Sequence, residues 1–95
     1  MPRWNKNLTF EKDPSDVIDF PVDFTQFLQT DTILSRTVTV EDVTLDSSTL
    51  SGNVVTCWIS GGTAGTTGVV TINIVTNNAV PRTIERSFKV DVLNL

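Results

Sequence analysis

The chain has no histidine and no tyrosine, a single cysteine, and no lysine between Lys12 and Lys89. Each absence closes off a chemistry. Without an imidazole a serine triad is impossible, and the usual activator of a thiol nucleophile is missing. One cysteine makes no intramolecular disulfide, and no His/Cys cluster offers a zinc site. Cys57 lies in the apolar run 54–59 (VVTCWI), where a lone cysteine reads as a small buried hydrophobe. The opening MPRWNKNLTF lacks an apolar core of signal-peptide length, and no apolar run approaches a membrane span. The expectation is a protein made in the cytoplasm, or one that leaves it by a route the sequence does not show, with no membrane partner.

The missing lysine decides how residues 60–68, SGGTAGTTG, are read. Four glycines and four hydroxyl residues in nine positions invite comparison with a phosphate-cradling loop. A P-loop requires G-x-x-x-x-G-K-[ST], with the lysine reaching the phosphates. Here no lysine follows and no two glycines are five apart. The dinucleotide fingerprint G-x-G-x-x-G fails on spacing as well, and both motifs need a helix after the loop. Strand-like residues stand on both sides instead, so the stretch is expected to be a hairpin connection whose glycines supply positive φ. No cofactor is implied, and the chain is not expected to be an enzyme.

Seven Lys/Arg stand against eleven Asp/Glu, a formal charge of −4. The basic residues are scattered, and Glu85 and Asp91 dilute the densest basic segment, 82–89. Binding to a phosphate backbone needs a basic stripe, so no nucleic-acid partner is expected. Asp13, Asp16, Asp19, Asp23 and Asp31 form an acidic run with no basic residue among them. Its spacing does not match a calcium-binding EF-hand loop, and a solvated acidic face is the simpler reading.

Ninety-five residues fit one domain, marginal alone and stabilised by docking onto copies of itself or a partner. Residues 1–9 are polar, with one isolated aromatic, and are read as an extended N-terminal arm; residues 10–95 form the domain. Asp13-Pro14-Ser15-Asp16 signals a turn. Residues 17–24 (VIDFPVDF) alternate, but Pro21 cannot donate to a ladder, which predicts an edge strand or an extended wrapping segment. Phe24, Phe27 and Leu28 follow at helical spacing with Thr25 as N-cap, predicting one short helical turn that plugs the end of the core.

Residues 32–40 (TILSRTVTV) read as a strand with Leu34, Val38 and Val40 on one face, interrupted by Arg36 at a rim or in an ion pair. Residues 44–53 read as a polar connection with one or two apolar anchors. Residues 54–60 have apolar residues on both faces and are expected to be central. Trp58 there is either core or a ring covering one sheet face. Residues 69–76 turn Val70, Ile72 and Ile74 to one face, and 83–92 turn Phe88, Val90 and Val92 inward, across a turn at 77–82. Short strands, turn residues and no long amphipathic helix predict an all-β fold, a small antiparallel immunoglobulin-like β-sandwich.

Several segments in order carry a family resemblance: Lys12-Asp13-Pro14, Asp19-Phe20 through Asp23-Phe24, Phe27-Leu28 with Asp31 and Ile33, Ser60 to Gly65, and Arg82 with Arg86-Ser87. Together they span roughly residues 10 to 92, and on them the chain resembles small phage structural proteins of the fibre-to-tail adaptor type. Phe24 and Phe27 stand where such proteins place tryptophan, and Val69-Val70 replace a tyrosine. The resemblance implies a non-enzymatic virion protein that joins the tail machine to fibres or receptor-binding proteins. Other virion subunits, and copies of the chain itself, are its implied partners. A capsid decoration or cement protein is the alternative, followed by a free immunoglobulin-like binding module. Partner-binding candidates are Trp4 in the arm, Phe20, Pro21 and Phe24 in the edge segment, and Arg82 and Arg86 in the closing strand.

Overall fold

Val, Ile, Thr and Phe at alternate positions favour extended backbone, because branched and aromatic side chains pack well on a pleated surface. The computed structural model, which describes residues 9–28 and 30–95, has seven strands and one helical turn. They are β1 (Thr9–Lys12), β2 (Ile18–Asp23), α1 (Thr25–Leu28), β3 (Ile33–Glu41), β4 (Thr44–Ser51), β5 (Val54–Ser60), β6 (Thr67–Thr76) and β7 (Thr83–Val92). A four-stranded sheet runs β1-β7-β6-β3 and a three-stranded sheet runs β2-β5-β4. The fold is all-β, but not wholly antiparallel as expected: β1 pairs parallel to β7, with Thr9 opposite Lys89 and Lys12 opposite Val92.

Both sheets contribute to one core. Val70, Ile72, Ile74, Phe88 and Val90 from the larger sheet meet Phe20, Val22, Val55, Cys57 and Ile59 from the smaller one. Phe10, Phe20 and Phe88 form a triangle with ring centroids 4.8, 5.5 and 5.6 Å apart, fastening β1, β2 and β7 together. β5 is central and β2 is an edge, as Pro21 required. Phe24, just before the helical turn, and Leu28 at its end are buried, with Phe27 packed beside them.

Four local expectations need correction. Residues 44–51 are not a polar connection but strand β4, paired with β5. The pairing partner overrides weak local propensity: Leu45, Ser48 and Leu50 are the half-covered positions, and the other Ser/Thr/Asp side chains face water on an edge. In β3 a register irregularity between Ile33 and Ser35 resets the alternation, so Ile33 is buried and Leu34 exposed. SGGTAGTTG is not a hairpin turn, because β5 and β6 belong to different sheets and the loop carries the chain from one to the other. Thr25 does not cap α1; it is the first helical residue, and the Asp23 carboxylate accepts both its N–H and its hydroxyl.

Candidate functional site

The resembling segments, scattered through the sequence, are drawn into two assemblies at opposite ends of a body measuring 46 × 22 × 19 Å. They lie at the two ends of β7, Arg82 just before it and Val92 at its close.

The first assembly forms around Lys12, whose side chain is wholly buried. Its ammonium donates to the carbonyls of Asp13 (2.8 Å) and Gly61 (2.6 Å), tying the β1–β2 turn to the glycine stretch. Asp13 organises the turn itself. Its carboxylate accepts the N–H groups of Ser15 (2.9 Å) and Leu95 (2.9 Å), while its own N–H donates to the Asp16 carboxylate. Those backbone donors, Ser15 first, hold the Asp13 carboxyl below its ordinary value, with a smaller contribution from the Lys12 charge. Gly62 has φ +92°, and a Cβ there would lie 2.7 Å from Val92 Cγ2. The glycines therefore serve close backbone packing between the sheets.

The second assembly forms around Arg82. Its guanidinium donates to the Phe27 and Leu28 carbonyls (3.1 Å each), the open end of α1, and to the Asp31 carboxylate at 3.1 and 3.2 Å. Asn78 also donates to Asp31, and the buried Thr76 hydroxyl accepts the Arg82 N–H. Arg86 lies over the Phe27 ring, 4.3 Å from its centroid. A basic side chain satisfying the last carbonyls of a helical turn is a C-cap, and it fixes the plug over the core.

Between the two ends, β2 presents Asp19, Pro21 and Asp23 on its outer face, beside Trp58, Thr56 and Val54 of β5. Trp58 is 38% exposed and is a ring on the sheet face, not core. Phe20 and Phe24 are buried and hold this strand from beneath, and Pro21 is half-buried at its edge. Arg36 is the predicted rim residue: it donates to the Ser48 hydroxyl (3.1 Å) and carbonyl (2.9 Å), lacing edge β3 to edge β4. Trp4 lies outside the described residues, as does the expected arm apart from Thr9, which opens β1. Sequence reasoning missed the burial of Lys12; its place between Glu11 and Asp13 looks like ordinary solvated charge.

Cys57 is buried, and desolvation pushes its thiol up to about 11, only partly opposed by Arg36. A thiol so held is no nucleophile near neutral pH. Among the described residues no three His, Cys, Asp or Glu side chains come together as metal ligands, and no helix is long and apolar enough to cross a membrane.

Charge is unevenly divided. The half containing Lys12 holds Glu11, Asp13, Asp16 and Asp19 on the β1–β2 side, and Glu41, Asp42, Asp46 and Asp91 across from them. Among the described residues only Lys12 and Lys89 stand against these eight carboxylates, a net −6. The Arg82 half balances Asp23, Asp31 and Glu85 with Arg36, Arg82 and Arg86. Residues 1–8 carry Arg3 and Lys6 and no acid, which restores the total of −4.

The model of a protein family described as podophage GP4 fiber-tail adaptor protein gp77 matches residues 12–91. The chain belongs to this family. The matched span starts at Lys12 and takes in the Arg82 assembly and most of the Lys12 assembly, ending just short of Val92 and Leu95. No curated protein matches the chain. A similar solved structure is the solution structure of amebosin, 21% identical over 93% of this chain and 90% of that one, with a TM-score of 0.42. So loose an overlap carries no argument about fold or function.

Proposed function

We propose that this fiber-tail adaptor family member is a non-enzymatic component of the phage tail, connecting the tail machine to fibres or receptor-binding proteins. The match over residues 12–91 carries the reading. The residues that resemble the family are used as ties between backbone segments, which suits a body that transmits load and contact, not one that turns over substrate. The protein acts within the virion, assembled in the host cytoplasm, as several copies in contact with other tail subunits. Its body, residues 10–95, is an immunoglobulin-like sandwich preceded by an arm. The strand sets β2-β5-β4 and β7-β6-β3 support that reading, because they match the B-E-D and C-F-G sets of such domains, with β1 beside β7 instead of in the smaller sheet.

Within that role the partner surface comprises Pro21 on the β2 edge, with Phe20 and Phe24 fixing the strand from inside, Arg82 and Arg86 at the plugged end, and Trp4 in the arm. An edge strand offers backbone groups to an added strand, and a tryptophan is suited to anchoring in a neighbour's pocket. Copy number per purified virion, by quantitative mass spectrometry, tests the function. A low number matching the rotational symmetry of a tail is expected. A high number tracking the major capsid protein would move the protein to a decoration role, and absence from the particle would sink both.

A further inference from the structure

The divided charge gives the molecule a direction. Among the described residues one end carries a net −6 and the other is balanced, and residues 1–8, MPRWNKNL, hold two basic residues and no acid in their sequence. None of the eight carboxylates of the acidic half forms an ion pair with a described basic side chain. That end is also not uniformly polar, since Val17, 57% exposed, stands between Asp16 and Asp19. β1 runs toward the acidic end, closing at Lys12, so Thr9, where residues 1–8 join the body, is the end of the strand farther from it.

From this we infer that residues 1–8 of one copy dock on the acidic end of the next, between the β1 and β2 edges, joining copies head to tail. Arg3 and Lys6 meet the Glu11, Asp16 and Asp19 carboxylates, and Trp4 covers Val17. The occupant matches the surface on two counts, opposite charge and an aromatic for an exposed aliphatic. The surface also lies beside β1 and β2, the outer strands of the two sheets among the described residues. Eight residues extend to at most about 26–29 Å. A head-to-tail contact is heterologous, and it closes into a ring when the rotation per step allows. The inference rests on the multi-copy part of the proposed function and supplies its interface.

The test uses the full chain in analytical ultracentrifugation over a range of concentrations and salt. Self-association is expected, weakening at least about tenfold in Kd between low salt and 0.5 M NaCl, because exposed charge pairs are screened. The Arg3→Glu/Lys6→Glu variant and the Glu11→Lys/Asp19→Lys variant should each be monomeric, and mixing the two should restore association. Glu11 and Asp19 are exposed, and unchanged circular dichroism verifies the fold of each variant. Association that persists in both variants, or a wild-type chain that stays monomeric at every concentration, overturns the inference. So does a Trp4→Cys/Val17→Cys chain that cross-links only within one copy at every dilution. A chain that is monomeric yet present at tail copy number in virions would sink this interface and leave the adaptor reading standing.

Discussion

The two ends of the molecule solve one problem with different cations. At each, a basic side chain gathers backbone carbonyls from segments far apart in sequence. Lys12 does so wholly buried, with two carbonyl oxygens as its hydrogen-bond acceptors. Arg82 does so with its side chain 40% exposed and with the Asp31 carboxylate, 11% exposed, as counter-charge. The difference teaches where a tie is costly to lose. Water can replace a partner at the Arg82 end, whereas at the Lys12 end a removed donor leaves carbonyls and a void with nothing to fill them. Arginine also suits its end by shape, since its planar fork reaches two helix carbonyls and a carboxylate together.

Lys12→Ala should therefore be the most damaging single change at either end. The expected loss is about 2–4 kcal/mol from a buried stem and two undonated carbonyls, read as a lower urea midpoint. Lys12→Met keeps the volume and relieves the buried charge, so it should recover about half of that loss. If Arg82→Ala proves as costly as Lys12→Ala, burial is not what distinguishes the ends. The expected value for Arg82→Ala is about 1–2 kcal/mol, discounted because the Asp31 pair is solvent-screened.

Within the glycine stretch the same contrast of crowded and open positions applies. Gly62→Ala combines φ +92° with a 2.7 Å approach to Val92 Cγ2 and should cost about 2–3 kcal/mol in chemical denaturation. Gly65→Ala has φ +90° with nothing within 4 Å and should cost only about 1 kcal/mol. Equal losses would mean that backbone strain alone, not sheet-to-sheet packing, sets the requirement for glycine.

Acid should loosen the Lys12 end. The folded-state pKa of Asp13 is depressed below its ordinary 3.8, so its contribution is fully present above that value. It disappears as pH falls through the folded-state value. Amide protection at Ser15 and Leu95 should fall as pH drops below 3.8, and Asp13→Asn should remove that pH dependence. The smallest effect is a null one. Cys57 should resist an aromatic disulfide reagent at about pH 8 until the domain is unfolded in urea.

Much of the architecture was legible where alternation is strong and both faces are apolar. Val70, Ile72 and Ile74 announce β6, Phe88, Val90 and Val92 announce β7, and Pro21 marks β2 as an edge. β4 was not legible, because Ser47, Ser48 and Thr49 carry little intrinsic preference and become a strand only when β5 offers its ladder. The bulge at Ile33–Ser35 was also invisible, since a single extra residue changes the phase without changing the composition. Of the candidate partner residues, Pro21 was placed at an edge by its missing donor. Nothing local reveals that Arg82 reaches back more than fifty residues to Phe27.

The amino-acid order by itself determined that this is a β protein with no imidazole to offer, because side-chain period and the absence of histidine are local facts. It also carried the segments by which the family is recognised. The tertiary structure alone decided that the acidic residues collect at one end and that a charged lysine is sealed beneath a glycine loop. Both depend on which strands become neighbours. That is settled by two sheets closing on one core, through contacts between residues far apart in the chain.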